Sequence, residues 1–388
     1  MLTKSDQAWM LHQAAFRLRA LGRQIEAPEA FQAALQMAAK LAEWKNAASG
    51  AGNLSELELT LGEIPRAVSH AEQSVAYADL SGDALVRMIS RTIRADALHQ
   101  AGRQPEADAR FREAEEMQAK RDPGRPLLYS TGSYVYCDLL LATAERAAWQ
   151  QYIQGSAGLK PAGSGTMSDI HQPAENPDAL YSPEDSTPSA TQEVRRNGQA
   201  IRALQIQSCR DVVERTALVR HWGVSYYKFK PLDIALIHLT LGRAALYQAI
   251  LEGSSPNPCN LFLKKAVDGL RLAGQQDHRP RSLLTRAWLR SLSGAHTGPE
   301  SAQSDLDEAW EIAERGPMPL FLGDIHLHRA RLFGPPALKA IGEKYPWESP
   351  AADLAAARRL IEKHGYLRRM KELEDAEAAA RNWAGQTE

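Results

Sequence analysis

Three segments of this chain carry the same ladder of small and apolar residues. "ALGRQIEAPEAFQAAL" places Ala27, Phe31 and Ala34 after Gly22, and "TLGEIPRAVSHAEQSV" places Ala67, Ala71 and Ser74 after Gly62. "LHQAGRQPEADARFREAEEMQAK" places Ala107, Phe111 and Ala114 after Gly102, so in all three the steps are five, four and three. The glycines stand forty residues apart each time (62 − 22, then 102 − 62). A fixed period of this size marks an architecture built by stacking one supersecondary unit on the next.

The ladder has a direct physical reading. Glycine ends one helix and takes the backbone shape that a tight turn into the next helix needs. Ile25 and Ile64 supply apolar contacts at the turn, and Pro65 suits the first turn of a helix. Positions separated by four and then three residues fall within about a 60° arc of a helix. Alanine on that arc allows close approach of two helices, and phenylalanine fills the space between neighbouring pairs. A single helix pair cannot bury such a face, whereas stacked pairs can.

The rest of the chain extends this reading. Ala, Leu, Glu, Arg and Gln dominate, apolar residues recur at helical spacing, and strict alternation of period two is almost absent. The expected fold class is all-α, an α-solenoid of stacked antiparallel helix pairs. Its 388 residues would suit two or three ordinary domains. The segment 154–195, "QGSAGLKPAGSGTMSDIHQPAENPDALYSPEDSTPSATQEV", is rich in Gly, Ser, Pro, Asp and Thr and reads as a flexible insertion or linker. It divides an N-terminal array, residues 1–153, from a C-terminal array, residues 196–388. In the second array the expected pairs are 231–251 with 260–274, 281–293 with 300–315, and 317–333 with 349–364. A last helix, 366–383, is expected to cap the stack.

A net charge of −1 gives no overall footprint for nucleic acid or an anionic membrane. Cys137, Cys209 and Cys259 are too scattered for a disulfide framework and read as buried or incidental thiols. The N-terminal stretch lacks the uninterrupted apolar core of a signal peptide, and no eighteen-residue apolar run occurs. A cytoplasmic location is expected.

The pattern G-x-x-x-x-A-x-x-x-F-x-x-A resembles the second half of a tetratricopeptide repeat, here on a period of forty, whose added residues are expected to lengthen helices and links. Later segments such as "DIALIHLTLGRAALYQAIL" and "DLDEAWEIAERGPMPLFLGDIHLHRARLF" resemble the C-terminal repeat region of bacterial STAND signalling proteins, in which a NACHT or NB-ARC NTPase precedes the repeats. The resemblance covers most of residues 45–380 and is one of scaffold. It implies a sensor or regulatory half of a signalling or defence system, working on a protein or peptide partner such as an NTPase or effector subunit.

Chemical motifs are scarce. There is no G-x-x-x-x-G-K-[ST], G-x-S-x-G or H-E-x-x-H. "GSAGLKPAGSGT" has Lys160 among glycines, but Pro161 and the spacing spoil a phosphate cradle. On a helix His326 and His328 point apart, and Asp324 with His328 alone would be two ligands, too few for zinc. No catalytic residue, cofactor or metal is therefore expected. "YYKFK", Tyr226–Lys230, interleaves aromatic and basic residues but reads as a linker packed on the next helix. Arg279, Arg286 and Arg290, at i, i+7 and i+11, form a candidate anion-binding face.

In tetratricopeptide arrays the first helix of each pair lines the concave face. By register this gives a partner-binding groove of His12, Phe16, Arg19, Asn53, Glu56, Thr92, Asp96 and His99. Only Asn53 matches the chaperone-tail clamp of some such proteins; Phe16 and Ile89 replace its Asn and Lys. The function expected is a non-enzymatic interaction scaffold. The alternatives are a helical repeat that binds nucleic acid or an anionic ligand, and an enzyme with its site in the groove.

Overall fold

The structure is a computed structural model, and it describes residues 2–20, 23–155, 190–274, 276–334 and 344–384. The insertion expected over 154–195 lies largely outside the described residues, as does Gly22. The described residues form fifteen α-helices and no strand. In order these are α1 (Lys4–Ala20), α2 (Ala27–Lys40), α3 (Trp44–Thr60), α4 (Ile64–Ser81), α5 (Ala84–Gln100), α6 (Gln104–Arg121) and α7 (Ser130–Ile153). Then follow α8 (Ala190–Trp222), α9 (Pro231–Glu252), α10 (Cys259–Ala273), α11 (Arg279–Leu292), α12 (Ala302–Arg315), α13 (Pro319–Leu332), α14 (Pro350–His364) and α15 (Met370–Ala384). Each packs against its neighbours in sequence.

The forty-residue period is visible in the elements themselves. Helices α1, α3 and α5 are each 17 residues long and begin at residues 4, 44 and 84. Helices α4 and α6 are each 18 residues long, begin at 64 and 104, and carry a proline at the second position. The ladder residues are core. Ala27, Phe31, Ala67, Ala71, Ala107, Phe111 and Ala114 are all fully buried. Ser74, at the polar rung, spends its hydroxyl on the Ala48 carbonyl at 2.8 Å, so burial leaves no unpaired group. Phe111 stacks on Tyr136 of α7 with centroids 4.7 Å apart, joining the third unit to the next helix.

The turn glycines do two things at once. Gly62 and Gly102 both have φ +77°, the left-handed region that L side chains rarely adopt. A Cβ on Gly62 would also come within 2.5 Å of Pro319, and one on Gly102 within 2.8 Å of the Leu367 Cβ. The residues that crowd them lie some 250 positions away in sequence, so the late helices close back onto the early ones.

That closure is built into the core. Leu59, Ile64 and Ala97 of the early helices share one apolar cluster with Leu327, Leu354, Ile361 and Tyr366. A larger cluster runs from α7 to α13 around Trp149 and Trp288, whose rings stack at 3.5 Å. The expected last helix at 366–383 begins instead with a tight 3₁₀ turn, Leu367–Arg369, before α15. α15 turns back onto α7, where Arg146 meets Asp375 at 2.6 Å. Among the described residues α9 alone is long and apolar enough to cross a membrane, and 83% of its apolar window is buried inside the protein. All three cysteines are free and buried.

Candidate functional site

Phe16, Glu56 and Asp96 stand forty residues apart at one register of α1, α3 and α5, and all three face an internal cleft. One wall of the cleft is Arg19, Glu56, Asp96 and Gln100. The opposite wall comes from the later chain: Tyr134 and Asp138 of α7, then Asp277, His278 and Arg281, then Phe321 and Tyr366. This part encloses about 150 Å³. It continues past Arg19, Glu56, Asp277 and His278 into a chamber of about 310 Å³ reached by Phe16, Gln24 and Leu232.

The charges inside are unevenly satisfied. Arg19 ties the two walls together, 3.2 Å from Glu56 and 2.9 Å from Asp277. His278 and Arg19 outweigh burial and hold the Asp277 carboxyl below its ordinary range. Asp96 has no such partner. Its carboxylate accepts only from the Gln100 amide, at 2.7 Å, and makes no ion pair among the described residues. Burial pushes its pKa up to about 6, the nearby carboxylates of Asp138 and Glu56 adding to the rise and the Gln100 hydrogen bond and the more distant Arg368 opposing it.

Behind the cleft lies a buried ionic network. Asp138 is shared by Arg243 at 2.7 Å, Arg281 at 3.3 Å and Arg368. Glu145, about two helical turns along the same face of α7, accepts from Arg243 at 3.0 Å and Arg369 at 2.9 Å. Arg369 continues to Asp324 at 2.9 Å and to Glu372, which Arg331 meets at 3.0 Å. Burial alone would raise these acids, but the guanidinium groups win: Asp138, Glu145 and Asp324 are all held below the ordinary carboxylate range. The network fixes the positions of the cleft's inner wall.

Asp96 also ends a second, apolar groove. Leu85, Met88, Ile89 and Ile93 of α5 face Leu128 and Val135 across about 230 Å³. Asp96 and Val135 line both the groove and the cleft, so the two abut there.

The expected groove residues therefore separate. Phe16, Arg19, Glu56 and Asp96 line the cleft. Thr92 joins the apolar groove, its hydroxyl donating to the Met88 carbonyl at 3.1 Å. His12 and Asn53 bond each other at 3.0 Å, with the His12 ring edge-on to Phe31, so they serve the α1–α3 contact. His99 is a correction: it is 1% exposed, lies 3.7 Å from Asp138 and lines neither cavity. Burial, helped by Arg368, keeps it neutral, well below the usual histidine pKa.

The arginine row is a second correction. Arg286 and Arg290 both meet Asp305, at 2.6 and 2.9 Å, and Arg279 meets Glu308 at 3.0 Å. The row faces α12, where its guanidinium groups are tied to Asp305 and Glu308. Tyr227 stacks on Tyr129 at 4.3 Å and Arg125 lies over Tyr226 and Tyr227, so the "YYKFK" aromatics pack on the α6–α7 connection. His326 donates to the Asp353 carboxylate at 2.5 Å, while His328 donates to the Asp324 carbonyl at 2.7 Å. Among the described residues no three His, Cys, Asp or Glu side chains converge as metal ligands.

The later-chain wall carries no local mark in the sequence. Asp277 and Tyr366 acquire their role only through ring closure. A partial signal existed for Asp138, since Asp138 and Glu145 share one face of a helix whose other buried residues are mostly apolar. No protein-family model matches the chain, and no curated protein matches it.

Proposed function

We propose that this chain is a non-enzymatic interaction scaffold, a tetratricopeptide-like α-solenoid that holds a segment of a protein partner in its internal cleft. The observation that carries the reading is the alignment of Phe16, Glu56 and Asp96, from three successive repeat units, along one wall of a solvent-connected cleft. First helices of stacked pairs that present variable polar and aromatic side chains on a rigid frame suit peptide recognition. The resemblance to STAND repeat regions supports a sensor or regulatory role in a bacterial signalling or defence system, with an NTPase or effector as the partner.

Arg279, Arg286 and Arg290 are drawn onto Asp305 and Glu308 of α12 and none is more than a quarter exposed, which favours this reading over an anionic-ligand or nucleic-acid binder. The test is site-specific photocrosslinking in cells. A photoreactive phenylalanine analogue at Phe16, in the cleft, is compared with one at Leu272, which is 79% exposed on the outside. A discrete protein adduct from position 16 and not from 272 is expected; no cleft-specific adduct would sink the reading.

A further inference from the structure

We propose that the cleft receives a single basic side chain, lysine or arginine, from an extended peptide segment whose adjacent apolar residue packs in the groove between α5 and α7. This inference deepens the interaction-scaffold reading and rests on it.

The charge balance selects the sign. Both arginines in the lining are already committed, Arg19 to Glu56 and Asp277, and Arg281 to Asp138 at 3.3 Å. Among the described residues Asp96 makes no ion pair, Arg368 acting on it only from beyond pairing distance, and Glu56 retains 40% side-chain exposure toward the cleft. The excess is therefore negative, and an incoming carboxylate or phosphate would face Asp96 and Glu56 together. A guanidinium or ammonium group would instead complete the pairing that Asp96 lacks. The half-buried setting of Asp96 strengthens the match, because a carboxylate withdrawn from water without an ion pair is costly and a bound cation offsets part of that cost.

Shape selects the occupant. An α-helix with its side chains is about 10 Å across and does not fit spaces of 150 to 310 Å³, whereas one side chain does. Lysine and arginine have an apolar stem and a charged tip. Leu59, Val135 and Tyr134 line the path for a stem, and Asp96 waits at the tip. Aromatic walls suit a cation as well, and Arg281 already lies over the Phe321 ring at 5.9 Å. Since Asp96 and Val135 border both cavities, a residue next to the basic one reaches Met88, Ile89 and Ile93 without a long connection.

The test uses the full chain and two sets of end-capped, fluorescently labelled octapeptides, read by fluorescence anisotropy. One set carries a central Arg or Lys beside Leu; the other has citrulline or norleucine in its place. The expected result is binding by members of the first set only. Asp96→Asn should weaken it at least tenfold, Glu56→Gln and Ile89→Gln severalfold, and Asp268→Asn on the outer surface not at all. Equal binding of both sets, or binding indifferent to Asp96→Asn, overturns this inference while leaving a scaffold that uses other contacts. Binding of free n-hexylamine with no peptide binding overturns the peptide occupant. Absence of binding by both sets overturns the inference too, and the photocrosslinking at Phe16 then decides the scaffold reading separately.

Discussion

Arg369 joins Glu145 of α7 to Asp324 of α13, at 2.9 Å from each, and so bolts the end of the chain to its middle. It is 1% exposed, and its charge also meets Glu372. Removing one partner of a buried ion pair leaves uncompensated charge and typically costs about 3–5 kcal/mol. Arg369→Met should therefore lose stability on that order in urea unfolding. Arg358→Met, which breaks half-exposed pairs with Glu362 and Glu377, should lose less than about 1 kcal/mol. Similar small losses for both would mean that Arg369 does not hold the ring closed.

The turn glycines test closure from the other side. Gly82 has φ +67° with open space around its Cβ position, so Gly82→Ala should cost only the left-handed conformation, about 1–2 kcal/mol. Gly102→Ala adds a collision with Leu367 and should cost about 2–4 kcal/mol in the same measurement. If the two substitutions cost the same, the close approach of the C-terminal turn to Gly102 is not real in solution.

These contrasts show what the sequence could and could not reveal. Ala107, Phe111 and Ala114 were legible as core because helix packing writes a local period, and Glu56 and Asp96 were legible as inward-facing because they keep that register. Asp277 and Tyr366 were not, since ring closure joins residues hundreds of positions apart and leaves no period behind. The Arg279 row misled for a third reason. Its spacing is the same whether it faces solvent or an acidic helix, and only the spacing of Asp305 and Glu308 on α12 marked the difference.

Asp96 gives a pH-dependent outcome whose sign is fixed. Its pKa is about 6 in the folded protein against an ordinary 3.8, so between those values the folded state holds a proton that the unfolded state has released. Stability contributed by this group therefore falls as pH rises from about 4 to about 6, then stays low. Asp96→Asn should be more stable than the parent by about 1–3 kcal/mol at pH 8 and equal to it near pH 4. The difference between the two proteins is the quantity to follow. His99 and His328, held neutral by burial, with His328 down to about 3, oppose the trend by destabilising the fold as pH falls below 6.5. A difference that does not change with pH would show that Asp96 is not buried without a counter-charge.

Two phenylalanines separate fold from recognition. Phe111 is fully buried among Met88, Leu98 and Tyr136, whereas Phe16, at the cleft mouth, is 48% exposed. Phe111→Ala deletes a core ring and leaves a cavity, for a loss of about 3–5 kcal/mol and a lower thermal midpoint. Phe16→Ala removes a side chain that is half in water and should shift the same midpoint little, within about 1 kcal/mol. The opposite order should hold for binding. Phe16→Ala should weaken capture of a basic octapeptide, because a rigid aromatic side chain supplies contact area at low entropic cost. A variant at Phe16 that lost stability as Phe111→Ala does would place that ring in the core and move the mouth of the cleft elsewhere.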